Sequence, residues 1–157
     1  MKQANRLFVA ALLLVMIHAH SVQAQTTSAH QPAMQQRYGI PVDPERYPQG
    51  DPQETIRSVI AATEAGDIEY LLSHLLSPPQ VDAKLGGDVE AMHELASKAT
   101  PEKSKRLVSA LRTQLDEGIW TIHRSQAWAH CADLPDLSLQ RIGNRWFMHN
   151  TPEQRPQ

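Results

Sequence analysis

One cysteine, Cys131, stands in the whole chain, so no disulfide can close within it and the fold must be held by its core. The cysteine reads as a small, half-buried apolar residue; its one alternative role is a bond to another chain. Runs of lysine or arginine are also missing. With 15 basic against 17 acidic residues and a net charge of −2, the chain has no basic face to displace counterions from nucleic-acid phosphates, and none for an anionic membrane surface. The apolar run at residues 7–17 stops at His18, well short of the about 20 residues that a membrane-spanning helix needs. No repeat period, no glycine-flanked serine elbow and no phosphate-cradling glycine loop is present, and Gly86-Gly87 alone reads as a turn.

What is there begins with "MKQANRLFVAALLLVMIHAHSVQAQ". Lys2 and Arg6 precede the apolar run, and the small residues Val22 and Ala24 follow it, which is the order of a secretory signal peptide cut after Ala24. The expectation is a signal peptide at 1–24 and an exported protein, periplasmic or extracellular, with no stable membrane insertion once the signal is gone. Residues 25–50 are rich in Gln, Thr and Pro and lack any period, so they read as a flexible linker. Residues 51–150 then form one α+β domain of ordinary size, and 151–157 a disordered tail.

Within that domain, Asp51, Pro52 and Glu54 spell a helix start, because a capping acid, a proline suited to the first turn and a reciprocating glutamate stand at the required spacing. Ile56, Val59, Ile60 and Thr63 share its inner face, and Gly66 ends it. Asp67 can cap a second helix that turns Ile68, Leu71, Leu72, Leu75 and Leu76 inward. Residues 77–88, with Pro78-Pro79 and Gly86-Gly87, read as a loop by composition. A third helix is expected from Val89 to about Lys98, and a fourth from Thr100-Pro101-Glu102 to Gly118, with Leu107, Val108, Leu111 and Leu115 on one face.

After Gly118 the apolar period changes from helical to alternating. Residues 119–122 and 126–131 read as two strands joined near Arg124-Ser125, a turn that no glycine or proline supports. The run "LSLQRIGNRWFMH" is clearer, since Gly143-Asn144 is a two-residue hairpin signal. That turn pairs Ile142 with Arg145, and parity then places Leu137, Leu139, Trp146 and Met148 on one face, with Arg141 beside the turn. Ser138, Gln140, Ile142, Arg145, Phe147 and His149 fall on the other, expected to be the wetter side. Of Trp120, Trp128 and Trp146, at least Trp146 is assigned to packing.

These features, namely Asp51-Pro52 with the Ile56, Val59 and Ile60 face, the corner at Ala65, Gly66 and Asp67, and "RIGNRWFMHN", resemble the nuclear transport factor two-like (SnoaL-like or cystatin-like) superfamily. More closely, the chain is similar to small exported bacterial proteins of that kind whose function is uncharacterised. The resemblance covers residues 51–150 and implies a helical layer on an antiparallel sheet. Its motifs are structural, and no catalytic residue comes with them.

The candidate chemistry is sparse. Beyond the signal stand His30, His74, His93, His123, His130 and His149, and a zinc or copper site needs about three or four of such ligands at one point. His130 and Cys131 are neighbours that a strand points to opposite faces unless a bulge intervenes, and His123 and His130 are also opposed if the strand is continuous. "MHELA" begins like a zinc-protease helix, but Ser97 stands where the second histidine belongs, and Glu94 reads as a solvated acid. Asp133 and Asp136 fall in an expected loop around Pro135, with no defined separation for paired acid-base work. Accordingly no catalytic, cofactor-binding or metal residue is assigned, and no cofactor is implied.

The expectation is α+β, about four helices packed on a C-terminal antiparallel sheet of three to four strands, serving as a non-enzymatic binding or accessory module of the cell envelope. Its partner would be an envelope protein or a small ligand. Two alternatives stay open: a small-molecule-binding protein or isomerase/dehydratase-like enzyme with a pocket between helices and sheet, and a periplasmic metal-handling protein with His123, His130 and His149 at its centre. The sequence leaves the oligomeric state open.

Overall fold

Asp51 starts the first helix as its side chain predicts. In the computed structural model, which describes residues 36–149, helix α1 (Pro52–Ala65) opens with Asp51 Oδ1 accepting from the Glu54 amide at 2.8 Å. Glu54 reaches back one residue further than the usual reciprocal cap, taking the Gly50 amide at 2.5 Å. The helix ends where Gly66 adopts φ +76°, a left-handed conformation that a Cβ disfavours. Ile56, Val59, Ile60 and Thr63 are all buried, as their spacing requires.

The second helix departs from its expected form. Asp67 makes no side-chain cap, and α2 (Ile68–Tyr70) gives way after three residues to a wider π-helical turn, Leu71–Leu75. Leu71 and Leu75 enter the core, with Ile68 and Leu76 packed at its border. The expected loop at 77–88 contains a helix, α3 (Pro78–Leu85), with Pro78 and Pro79 in the first turn and Gly86 left-handed at the end. Composition marked this stretch as irregular; in fact its prolines and glycines are the start and stop signals of a short helix. Helices α4 (Val89–Ser97) and α5 (Pro101–Glu117) begin at Asp88 and Thr100, whose side chains accept from amides of the first turn.

The C-terminal sheet is an antiparallel meander, β3 (Ile119–His123), β4 (Gln126–Cys131), β5 (Leu134–Ile142) and β6 (Arg145–Met148), in sequential order. The Gly143-Asn144 register holds: Ile142, Arg141, Gln140 and Leu139 oppose Arg145, Trp146, Phe147 and Met148. Ala127, Ala129, Leu137, Leu139, Trp146 and Met148 form one core with Ile56, Val59, Leu75, Val108 and Leu111. The fold is therefore α+β, five helices packed against a four-stranded antiparallel sheet. No described helix is long and apolar enough to cross a membrane.

Three further expectations change. The stretch read as linker forms, from Gln36 on, a small hairpin of β1 (Gln36–Arg37) and β2 (Ile40–Pro41), followed by buried Tyr47 and Gln49. The supposedly wetter sheet face buries Trp128, Ser138 and Phe147. Asp136 lies on β5 and not in a loop, because the strand starts two residues earlier, at Leu134. The signal peptide at 1–24, the start of the linker, His30, Asn150 and the tail at 151–157 lie outside the described residues.

Candidate functional site

The densest polar cluster sits where residues 36–50 cross the π-helical turn. A helix end leaves carbonyls without intrahelical partners and carries partial negative charge. Two guanidinium groups meet that end. Arg37 Nη1 donates to Ser73 O at 2.6 Å, and Arg145 Nη2 donates to His74 O at 3.2 Å. Gln49 links them to the sheet: its amide nitrogen donates to His74 O at 3.0 Å and Trp146 O at 2.6 Å, while its oxygen accepts from Arg145 Nε at 3.0 Å. The Arg145 guanidinium also lies over the Phe147 ring, 5.1 Å from its centroid. Burial lowers the Arg145 pKa from its ordinary value, and the oriented carbonyls compensate its charge where, among the described residues, no carboxylate bonds to it.

His74 is fully buried in this cluster. Its Nε2 lies 2.7 Å from Ile40 O, and its ring sits 4.9 Å from that of Tyr70. Burial drives its pKa down, with the Arg145 and Arg37 charges pushing the same way against the raising effect of Ile40 O. The neutral ring with the proton on Nε2 satisfies that geometry, and Nδ1 has no partner among the described residues. The cluster is a latch: it joins the N-terminal hairpin, the π-helical turn and β6.

Beside the latch, Tyr47 and Tyr70 line a shallow depression of about 340 Å³ together with Asp43, Arg46 and Asp67. The Tyr47 hydroxyl donates to Asp67 Oδ2, which also pairs with Arg46 at 2.8 Å. Burial, then the Asp67 bond, pushes the Tyr47 pKa up to about 12, so this phenol is no proton acceptor near neutrality.

A larger trough of about 870 Å³ runs along the outside of α1 and α5. Small residues make it: Ala65 and Gly66 at the end of α1, Ala99 just before α5, and Ser104 and Ser109 along α5. Val108 forms part of its floor, Lys105 and Asp116 stand on its rim, and Arg112 spans it to Glu64 at 2.6 Å. Apolar floor, hydroxyls and charges of both signs together suit an extended polypeptide segment.

The histidines of the alternative metal-handling reading, His123, His130 and His149, are dispersed. The Arg124-Ser125 turn puts His123 and His130 on the same face, since His123 opposes Gln126 and Ile119 opposes His130. They stand at opposite ends of that hairpin, about 13 Å apart at the rise of a strand. His130 Nδ1 is 2.7 Å from Asp136, and His149 Nε2 is 3.0 Å from Gln140. A register shift does occur between Ala129 and Cys131, yet Cys131 is buried while His130 is exposed. Among the described residues no three His, Cys, Asp or Glu side chains converge on a possible ion. His93 pairs with Glu69 at 2.6 Å across α4 and α2, and Glu94 with Lys98 at 2.7 Å.

Comparison of the chain with protein-family profiles, with curated proteins and with solved structures finds no match. The latch residues Arg37, Gln49 and Arg145 had no signal in the sequence. Gln49 sits in a proline- and glutamine-rich stretch that composition marks as linker, and Arg145 beside a turn reads as solvated.

Proposed function

We propose that this protein is an exported, non-enzymatic binding module of the cell envelope, and that its docking face is the trough between α1 and α5. The observation that carries the reading is where the space lies. Ile56, Val59, Leu75, Leu139 and Trp146 pack against one another between helices and sheet, whereas the trough opens outward and is lined by both apolar and charged groups. Such a surface takes a chain segment better than a small substrate, which needs enclosure and converging polar groups. The likeness to the nuclear transport factor two-like superfamily belongs to this proposal, supported by helices packed against an antiparallel sheet.

A photo-crosslinking residue placed at Ser109 tests it. One discrete adduct is expected in the envelope fraction, absent when the crosslinker sits at Lys84 on α3, and lost when Ser104→Trp fills the trough. Identical adduct patterns from Ser109 and Lys84 would refute the docking face. The same preparation tests export, since its N-terminal residue should be Gln25.

A further inference from the structure

The two edges of the sheet are finished differently. On β6, the Trp146 amide donates to Gln49 O at 3.0 Å, Ser77 N donates to Met148 O at 2.9 Å, and Leu76 forms a parallel bridge to Met148. The outer edge of β3 pairs with nothing among the described residues. Four of its five residues are exposed, including Ile119 at 70 % and Ile122 at 58 %. Proteins normally blunt such an edge with lysine, proline, a bulge or an inward charge, and the sequence Ile119-Trp120-Thr121-Ile122-His123 contains no lysine and no proline.

The pattern along β3 is also self-complementary. The two-residue turn closes on the His123 and Gln126 pair, and antiparallel ladders alternate, so residues 119, 121 and 123 direct their backbone groups to β4. The N–H and C=O of Trp120 and Ile122 then face outward. We propose that this edge pairs with the same edge of a second copy, antiparallel, about a two-fold axis at Thr121, so that two four-stranded sheets become one. In that register Trp120 of each copy opposes Ile122 of the other, and all four outward residues bond. The exposed Ile122 side chains lie against tryptophan, and each Ile119 lies beside a histidine. Gly118 opposes Arg124 of the second copy, which brings Glu117 next to that arginine. Both charges are exposed and neither forms an ion pair among the described residues. A register centred on Ile122 moves Glu117 away from that arginine, and one centred on Trp120 sets Ile122 opposite Gly118 instead of tryptophan.

A pair of short strands buries less than the roughly 1,200–2,000 Å² of a standard stable interface, so the dimer is weak and concentration-dependent. Sedimentation equilibrium of the purified chain should show reversible dimers, and Ile122→Lys should weaken them about tenfold by removing two cross-strand apolar pairs. Thr121→Cys checks the register independently. Across the axis, residues of a non-hydrogen-bonded pair have Cα atoms about 4.5 Å apart, within the range of about 4.4–6.8 Å that a disulfide spans. Mild oxidation should therefore give covalent dimer for Thr121→Cys, and none above the wild-type level for Ile119→Cys, although Ile119 is more exposed. A wild-type chain monomeric at every concentration, a dimer indifferent to Ile122→Lys, or equal crosslinking at both cysteine positions would each overturn the proposal.

Discussion

His74 shows what a single side chain contributes when it is wholly enclosed. Its folded pKa lies below the 6.5 of an ordinary histidine, so as pH falls below about 6.5 the unfolded chain takes up a proton that the folded chain refuses. Stability from this site is full above that pH, declines as pH drops toward the depressed folded value, and levels off below it. His93, raised by its bond to Glu69, has the opposite sign: its stabilisation is present at low pH and is lost as pH rises through its folded value. His74→Gln keeps a donor for Ile40 O and removes the titration. Denaturant unfolding should find it about 1–2 kcal/mol less stable than wild type at pH 7.5, with the gap narrowing by pH 5. A gap constant with pH would show that His74 is not the neutral group described.

At the scale of elements, the turns carry most of what local chemistry decides. Gly143 takes φ +63° and fixes the β5–β6 register without strain. Arg124 takes φ +54° at the β3–β4 turn with a full side chain, a conformation that costs an L-residue about 1–2 kcal/mol. Arg124→Gly should therefore raise stability by about 0.5–1 kcal/mol, the relief of strain being offset in part by greater freedom of the unfolded chain. Thermal unfolding checks it, and an unchanged or lower melting temperature would contradict the turn geometry. Helix α3 makes the complementary point. Pro78, Pro79 and Gly86 are loop-formers by composition, and here form a helix's first turn and end, with Pro78 and Val81 buried.

For the molecule as a whole, the N-terminal boundary matters most. The stretch 36–50 reads as linker, yet Tyr47 is 2 % and Gln49 5 % exposed, and Arg37 and Gln49 together bond the π-helical turn and β6. A fragment beginning at Asp51 should lose at least about 3 kcal/mol relative to one beginning at Gln36, from one buried aromatic ring and the carbonyls left unpaired. Urea unfolding of the two fragments measures the difference, and equal midpoints would return 36–50 to the status of a spacer.

Local chemistry sets the elements whose causes lie within a few residues: the Asp51 and Gly66 ends of α1, the α4 and α5 starts at Val89 and Thr100, and the β5–β6 register fixed by Gly143-Asn144. It also determined which sheet face meets the helices, because alternation from a known turn leaves one choice. Long-range packing alone makes the latch, since the partners of Gln49 are His74 and Trp146, 25 and 97 residues away, and no period or composition encodes a bond at such separation. It alone decided that His123, His130 and His149 stay apart, because convergence depends on how far along the strands each one falls. The open edge at β3 belongs to both. Its sequence without lysine or proline is local, but that nothing described covers it follows from where the rest of the chain packs.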